Sequence, residues 1–182
     1  KSLCINLNLT TGKPLINVKN NPLCNKNGFF NYKAYQFFLP WIIKNKKQMR
    51  KLIYDEFDQQ INKLLKSNIR IAKIDSHEHI HQSNFIYDII YDLSKKYKIK
   101  FIRTFDEKIT FRNLIYRLIE LNYIKFIVLK FNTLTRKKYD INNPISYYGV
   151  LDSGKIIKNN LLSYIDSLKS NYALEVNFHP KN

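Results

Sequence analysis

The sequence predicts an α/β fold in which βαβ units build a parallel sheet. Short apolar runs alternate with amphipathic segments along the chain. This alternation favours parallel pairing, because each helix carries the chain back across the sheet to start the next strand. A length of 182 residues with 45% hydrophobic content suits one domain with a packed core. We therefore expect binding or catalytic residues at the carboxyl ends of the strands.

The first half of the chain is predicted as a strand, a long loop, a long helix, a strand and a helix. Residues 3–9, LCINLNL, mostly alternate apolar and polar side chains, which is typical of a strand. Glycine and proline mark residues 10–35 as a loop, and loops of this length are usually functional. From 40 to 68, apolar residues recur at three- and four-residue steps and predict an amphipathic helix that covers the sheet. A strand over 69–75 and a helix over 84–97 follow.

The second half continues the alternation of strands and helices. In order, the predicted elements are a strand at 99–105, a helix at 110–122, a strand at 123–131, a loop from Pro144 to Gly154, a helix at 156–169 and a strand at 172–178. His77 follows one predicted strand, Arg103 lies near the end of another, and His179 closes the last. These side chains can meet at one rim of the sheet.

The formal net charge of +17 is the most unusual feature of the composition. Such an excess ordinarily suggests binding to nucleic acid or to an anionic membrane. The lysines, however, are mixed with asparagine, isoleucine and tyrosine along the chain, without an arginine cluster or an RNP-like motif. We interpret them as a solvated surface and expect no specific nucleic-acid partner and no membrane partner.

Cysteine usage and hydropathy predict a cytoplasmic location. Cys4 and Cys24 are too few for a disulfide framework, and they do not form a Cys-x-x-Cys pair. No apolar run reaches the roughly 20 residues that a membrane span needs, and no signal-peptide pattern opens the chain. The sequence leaves the oligomeric state open, and a homodimer is compatible with it.

Three of the four histidines lie in one stretch, KIDSHEHIHQ, residues 73–82. If this stretch is extended, Asp75, His77, His79 and His81 share one face of a strand at spacings of roughly 6–7 Å. Three histidines in five residues behind an aspartate indicate a metal or catalytic site. We expect one of them to be a direct ligand and the other two to line the pocket or to support that ligand.

Three motifs carry a resemblance to a known family. INLNLTTGKPL (5–15), KIDSHEHIH (73–81) and LEVNFHP (174–180) resemble the patterns HLNLTxGKPL, HxDSHxHxH and EVMxHP of the YdjC-like family, the chitooligosaccharide deacetylases. The resemblance covers nearly the whole chain. It implies a partial, irregular (β/α) barrel related to polysaccharide deacetylases. It also implies a metal-dependent hydrolase that removes the N-acetyl group from an N-acetylated amino sugar or oligosaccharide.

The resemblance also implies how a divalent metal, Mg²⁺ or Zn²⁺, is held. His77 matches the metal-ligating histidine of the family, and Asn6 stands where the family has its second ligand histidine. An amide oxygen suits Mg²⁺ but is a poorer ligand than imidazole for Zn²⁺. In INLNL, Asn6 and Asn8 share one face of the strand, and the apolar residues share the other. We therefore expect Asn6 to face the barrel interior, toward His77.

The remaining candidate residues also follow from the resemblance. His179 matches a late family histidine and is a candidate general acid. Arg103 matches an arginine that orients a carboxylate or the sugar, while Asp75, His79 and His81 line the substrate site or support the ligand. The catalytic aspartate of the family has no counterpart in the chain. We therefore expect residues 1–182 to be a single deacetylase-like domain that is truncated at both ends.

Two alternative functions stay open at this point. A catalytically impaired relative would bind sugar without hydrolysing it, which would account for Asn6 together with the missing aspartate. An amidohydrolase or phosphoesterase would use DSHEH as a His-x-His metal site. In those enzymes, however, the motif usually ends the first strand of the barrel, whereas here a strand, a long loop and a long helix precede it.

Overall fold

The computed structural model of the chain describes residues 2–39, 43–104, 107, 130, 133–134, 138–139, 146–152, 156–168 and 173–177. The chain divides into two compact units, Lys1–Arg103 and Thr104–Asn182. The predicted helix at 110–122 and His179 lie outside the described residues. Of the predicted strand at 123–131 only Lys130 is described, and it is helical, so the strand prediction is wrong at that position.

The first unit is built on a parallel sheet of three strands, in the order β1-β2-β3. Its elements are β1 (Ser2–Leu7), α1 (Ala34–Phe37), α2 (Lys46–Leu65), β2 (Arg70–Ser76), α3 (Asn84–Lys96) and β3 (Phe101–Ile102). Both strand pairs are parallel, which confirms the predicted pairing. Among the described helices, none is both long and apolar enough to cross a membrane.

The hydrophobic core of this unit lies between the sheet and the two long helices. Ile5 and Leu7 of β1 are buried, whereas Asn6 between them is exposed, as the alternation in the sequence predicts. Phe57 of α2 and Ile90 of α3 are fully buried in the same cluster. The apolar stripe of each helix therefore covers one face of the sheet.

The predicted start of α2 was several residues too early. Asn45 adopts a left-handed conformation with φ 46°, and its side chain accepts a hydrogen bond from the Gln48 amide at 3.3 Å. The helix begins directly after this cap, because the cap satisfies an amide that has no partner inside the helix.

The long loop after β1 is attached to α2 by two side chains one turn apart. Glu56, which is fully buried, accepts hydrogen bonds from the amides of Leu15 at 2.9 Å and Ile16 at 3.0 Å. Gln60 bonds the backbone of Asn8 in both directions, at 3.0 and 2.8 Å, and donates to Glu56 at 2.8 Å. These bonds fix the conformation of the loop although it contains no long helix or strand.

The described part of the second unit contains β4 (Ser146–Tyr148), α4 (Lys158–Asp166) and β5 (Leu174–Val176). Strands β4 and β5 pair in parallel. The prediction of a loop over 144–154 was therefore wrong at 146–148, where three buried residues are too few to show an alternating pattern, whereas residues 149–152 form a turn as predicted. The described residues form open sheets of three and two strands. The partial, irregular barrel stays a prediction.

Candidate functional site

The histidine stretch after β2 is not extended. Residues His77–Gln82 form a short 3₁₀ segment in which Glu78 and His79 have positive φ angles of 53° and 58°. The expectation that the aspartate and the three histidines share one face of a strand was therefore wrong. The left-handed residues reverse the chain and bring His81 back to Ser76, whose hydroxyl accepts the His81 amide hydrogen at 2.9 Å.

Asp75 and Arg103 form a largely buried ion pair at the carboxyl ends of neighbouring strands. The ladder pairs Ile74 with Ile102, so the residues that follow them lie side by side. A guanidinium nitrogen of Arg103 donates to Asp75, and the two side chains are 13% and 11% exposed. The Ser76 amide donates to the second carboxylate oxygen at 2.8 Å. These contacts fix the position of the Asp75 carboxylate.

His81 lies fully buried beside this pair. Its Nδ1 is 2.6 Å from the Ser76 hydroxyl and 3.6 Å from Asp75, and its Nε2 is 3.0 Å from the backbone carbonyl of Arg103. Burial lowers the pKa of His81 to about 4, although the charge of Asp75 acts in the opposite direction. The ring is therefore neutral at pH 7.

The contacts of His81 fit one tautomer. If Nε2 carries the hydrogen, it donates to the Arg103 carbonyl, and Nδ1 accepts from the Ser76 hydroxyl. The side-chain nitrogen of Gln82 donates to the same Arg103 carbonyl at 3.2 Å, so His81 and Gln82 share this acceptor.

The low pKa of His81 makes stability depend on pH. The unfolded chain takes up a proton near pH 6.5, whereas the folded chain does so near pH 4, so stability is full above pH 6.5 and falls as pH drops toward 4. Between pH 7 and pH 5 we expect a loss of about 2 kcal/mol from this group. Urea unfolding at pH 7 and at pH 5 should show this loss of stability, and the His81→Gln variant should lack this part of the pH dependence. Equal losses in both proteins would contradict a neutral buried His81.

His77, Asn6 and His79 lie around this network. Asn6 pairs with Asp75 in the ladder, so both lie on the face of the sheet opposite the buried side chains of β1. Ser76, the residue before His77, is still extended, with φ −142° and ψ 150°. The His77 ring is partly exposed, and His79 makes an edge contact with the His81 ring at 6.4 Å.

The donors present fit a divalent cation only in part. Asp75 is bound by Arg103, and both ring nitrogens of His81 face partners within the chain. This leaves the imidazoles of His77 and His79 and the amide of Asn6, of which the family resemblance assigns only His77 and Asn6 as ligands. Nowhere in the described ranges do three His, Cys, Asp or Glu side chains form a group that could hold a metal ion. Because protein metal centres usually take three or more protein ligands, these two residues would need further ligands.

The second unit contains a buried carboxylate beneath the turn after β4. Glu107 accepts hydrogen bonds from the amides of Gly149 at 3.0 Å, Val150 at 2.9 Å and Leu151 at 3.3 Å. Burial raises the pKa of Glu107 to about 7, although the three amide bonds act in the opposite direction. This carboxylate holds the turn between β4 and the segment that follows.

The same turn lies against the residue that follows β5. Gly149 has φ +121°, and a Cβ at this position would be 2.7 Å from the backbone oxygen of Asn177. The Asn177 amide in turn donates to the carbonyl of Tyr148 at 3.0 Å. Through Asn177, the motif LEVNFHP therefore contacts the turn that Glu107 holds.

Some residues of these networks were missed in the sequence. Ser76 and Gln82 lie within the histidine stretch, directly before and after its three histidines, and only this nearness could have indicated them. Glu107 could be indicated only by its place shortly after a predicted strand. Of the predicted site residues, the structure brings together Asp75, His81 and Arg103.

Three comparisons relate this chain to known proteins. The sequence profile of the YdjC-like proteins matches residues 1–182. Carbohydrate deacetylases of Vibrio cholerae serotype O1, from strains O395 and M66-2, are each 32% identical over 95 residues, which is 52% of this chain and 34% of theirs. The aligned part thus spans about a third of the length of these relatives.

A solved structure shares the fold. It is the crystal structure of an Enterococcus faecalis V583 protein whose name describes cellobiose-phosphate cleavage. The two structures superpose with a TM-score of 0.62, and the two sequences are 18% identical. The match covers 98% of this chain and 60% of that chain. At this level of identity the likeness shows the fold alone.

Proposed function

The chain belongs to the YdjC-like family, and from this premise we propose that it takes part in carbohydrate deacetylation. The reaction is hydrolysis of the N-acetyl group of an N-acetylated amino sugar or oligosaccharide. The observation that carries the proposal is the ordered Asp75–Arg103–His81 network, next to which His77 keeps a partly exposed imidazole at the end of β2. The match to carbohydrate deacetylases supports the substrate class.

The residues of the network act as supports for His77 in this proposal. Asp75 is held by Arg103 and by the Ser76 amide, and the neutral His81 ring connects Ser76 to the backbone of Arg103. Because each of these groups has partners within the chain, their contacts support the turn that carries His77. A positioned group needs less reorganisation during the reaction, which lowers the barrier.

An amide carbonyl is a poor electrophile and neutral water is a poor nucleophile, so amide hydrolysis needs both to be activated. His77 and Asn6 would be the ligands from this part of the chain for a divalent cation, Mg²⁺ or Zn²⁺, which when bound polarises a carbonyl and acidifies water. We propose His179 as the group that protonates the leaving amine, which is the role the family resemblance implies for it.

Acetate release from N-acetylated chitooligosaccharides tests the proposal in the full-length protein. We expect His77→Ala to lower kcat/KM by at least about 100-fold, because a ligand or positioned group is lost at the reacting centre. His79→Ala is the graded comparison, since it removes a partly buried imidazole from the same segment that is not a proposed ligand, and it should lower kcat/KM less. Calorimetric titration with Mn²⁺ and Zn²⁺ gives a second readout, in which His77→Ala alone should weaken binding.

Two results would contradict the proposal. The first is an active wild-type protein in which His77→Ala and His79→Ala behave alike. The second is sugar binding by the wild-type protein without acetate release. The second result would support the impaired sugar-binding relative, which Asn6 in place of a histidine ligand favours.

A further inference from the structure

The positive charge of the chain is concentrated at its N-terminal end. Residues 1–54 contain ten Lys and Arg residues and no Asp or Glu, and the first acidic residue is Asp55. The lysines are spread along the chain, as expected, but in this part of it no acidic residue offsets them. A segment of this kind attracts anions to whatever concave surface it forms.

The loop after β1 forms such a surface within the first unit. It encloses a cleft of about 550 Å³, a size typical of small-molecule sites. None of the side chains in its wall is acidic. The wall contains two lysines and four asparagines, namely Lys13, Asn17, Asn20, Asn21, Asn25 and Lys26.

One donor in this wall has no acceptor among the described residues. The Asn21 side-chain oxygen accepts from the Leu23 amide at 3.0 Å, which fixes the orientation of the side chain. Its side-chain nitrogen is buried, and no described residue accepts a hydrogen bond from it. This nitrogen is closed to solvent, so Asn21 contributes to the wall through the fixed position of its side chain and not as a donor to a ligand.

The cleft is held in shape before any ligand binds. The ammonium of Lys13 lies 5.0 Å from the centre of the Phe29 ring, a cation–π contact. The Phe30 amide donates to the Gly12 carbonyl at 2.9 Å and joins the two ends of the loop. Burial raises the pKa of the Cys24 thiol, and the charge of Glu56, the carboxylate behind the wall, acts in the same direction. The Glu56 charge is already engaged by two backbone amides and by Gln60.

We propose that this cleft is a binding site for a small oxyanion, such as the phosphate ester, sulfate ester or carboxylate of an organic molecule. Lys13 and Lys26 supply positive charge, and the side-chain amides of Asn17 and Asn20 supply hydrogen-bond donors. The volume leaves room for the organic group attached to the anion. The proposal stands on the loop alone and is independent of the deacetylase activity.

The full chain is titrated with inorganic phosphate, sulfate and acetate at constant ionic strength set with chloride. Amide chemical shifts of Ile16 and Leu23 report binding. We expect saturable 1:1 binding of at least one of the three anions. A preference for phosphate or sulfate indicates an ester, and a preference for acetate indicates a carboxylate.

Asn21→Asp is the decisive variant. It keeps the side-chain oxygen that accepts from the Leu23 amide and adds a negative charge to the wall of the cleft, which repels an anion. We expect at least tenfold weaker binding with an unfolding curve close to wild type. Asn68→Asp adds the same charge outside the cleft and should change affinity less than twofold. The double variant Lys13→Gln/Lys26→Gln should also bind at least tenfold more weakly, whereas Lys63→Gln/Lys66→Gln should not.

Several outcomes would overturn the proposal. One is the absence of saturable binding for all three anions in a folded protein. Another is an equal loss of affinity in the cleft variants and in their charge-matched controls, which would show general attraction to a basic chain. A third is binding of heparin or DNA by the basic segment that phosphate does not displace.

Discussion

Replacing Arg103 with methionine should lower the free energy of unfolding by about 3–5 kcal/mol, because the Asp75 carboxylate then stays buried without its cation. Both side chains are almost excluded from solvent, at 13% and 11% exposure. The Ser76 amide would still donate to Asp75, but one hydrogen bond does not replace a paired charge. Urea unfolding at pH 7 measures the difference.

The chain offers two controls for this result. Arg50→Met breaks an ion pair with Asp92 whose side chains are 41% and 55% exposed, and it should cost less than about 1 kcal/mol. Adding Asp75→Asn to Arg103→Met should recover part of the loss, since the unpaired charge is removed. The assignment of a strong buried pair is wrong if Arg103→Met costs no more than Arg50→Met.

Gly149→Ala should destabilise the second unit by roughly 2–4 kcal/mol, for two separate reasons. The backbone angle of +121° is one that L side chains rarely adopt, and the new methyl group would lie 2.7 Å from the Asn177 oxygen. To relieve the contact, β5 or the turn would have to shift, which also strains the amide bonds to Glu107. Thermal or urea unfolding followed by a probe in this unit measures the effect.

Gly28→Ala separates the two reasons. Gly28 also has a positive φ, +78°, but a Cβ there would meet no atom within 4 Å. The Gly28→Ala variant should therefore lose only the free energy that a positive φ costs an L residue, about 1–2 kcal/mol. Equal losses at Gly28 and Gly149 would show that contact with Asn177 contributes nothing.

The parallel strands and long helices could be predicted because their signals are local and repeated. The stripe of apolar residues in α2 and the alternation in β1 are visible in sequence, and the structure confirms both. The family resemblance rested on three motifs and is confirmed by the match over the whole chain. The strand β4 could not be found, since three residues carry no periodicity.

The geometry of the histidine stretch could not be predicted for a different reason. Glu78 and His79 adopt left-handed angles, which neither residue favours by itself. The surrounding contacts, such as the bonds between Ser76 and His81, stabilise that turn and become visible only in three dimensions. The Asp75–Arg103 pair likewise depends on the register between β2 and β3, which strand propensity does not determine.

The pairing of β1 with β2 imposes an order on folding during synthesis. Ser2 pairs with Arg70, so β1 leaves the ribosome before its partner β2 and cannot form this pair until the loop and α2 have been made. In that interval the nascent chain carries an unpaired strand edge and the exposed apolar side chains of β1, a combination that favours aggregation. Helix α2, whose contacts are local, can form first and offer β1 a surface on which to pack. The sheet of the first unit therefore closes late, from contacts between the start and the middle of the chain.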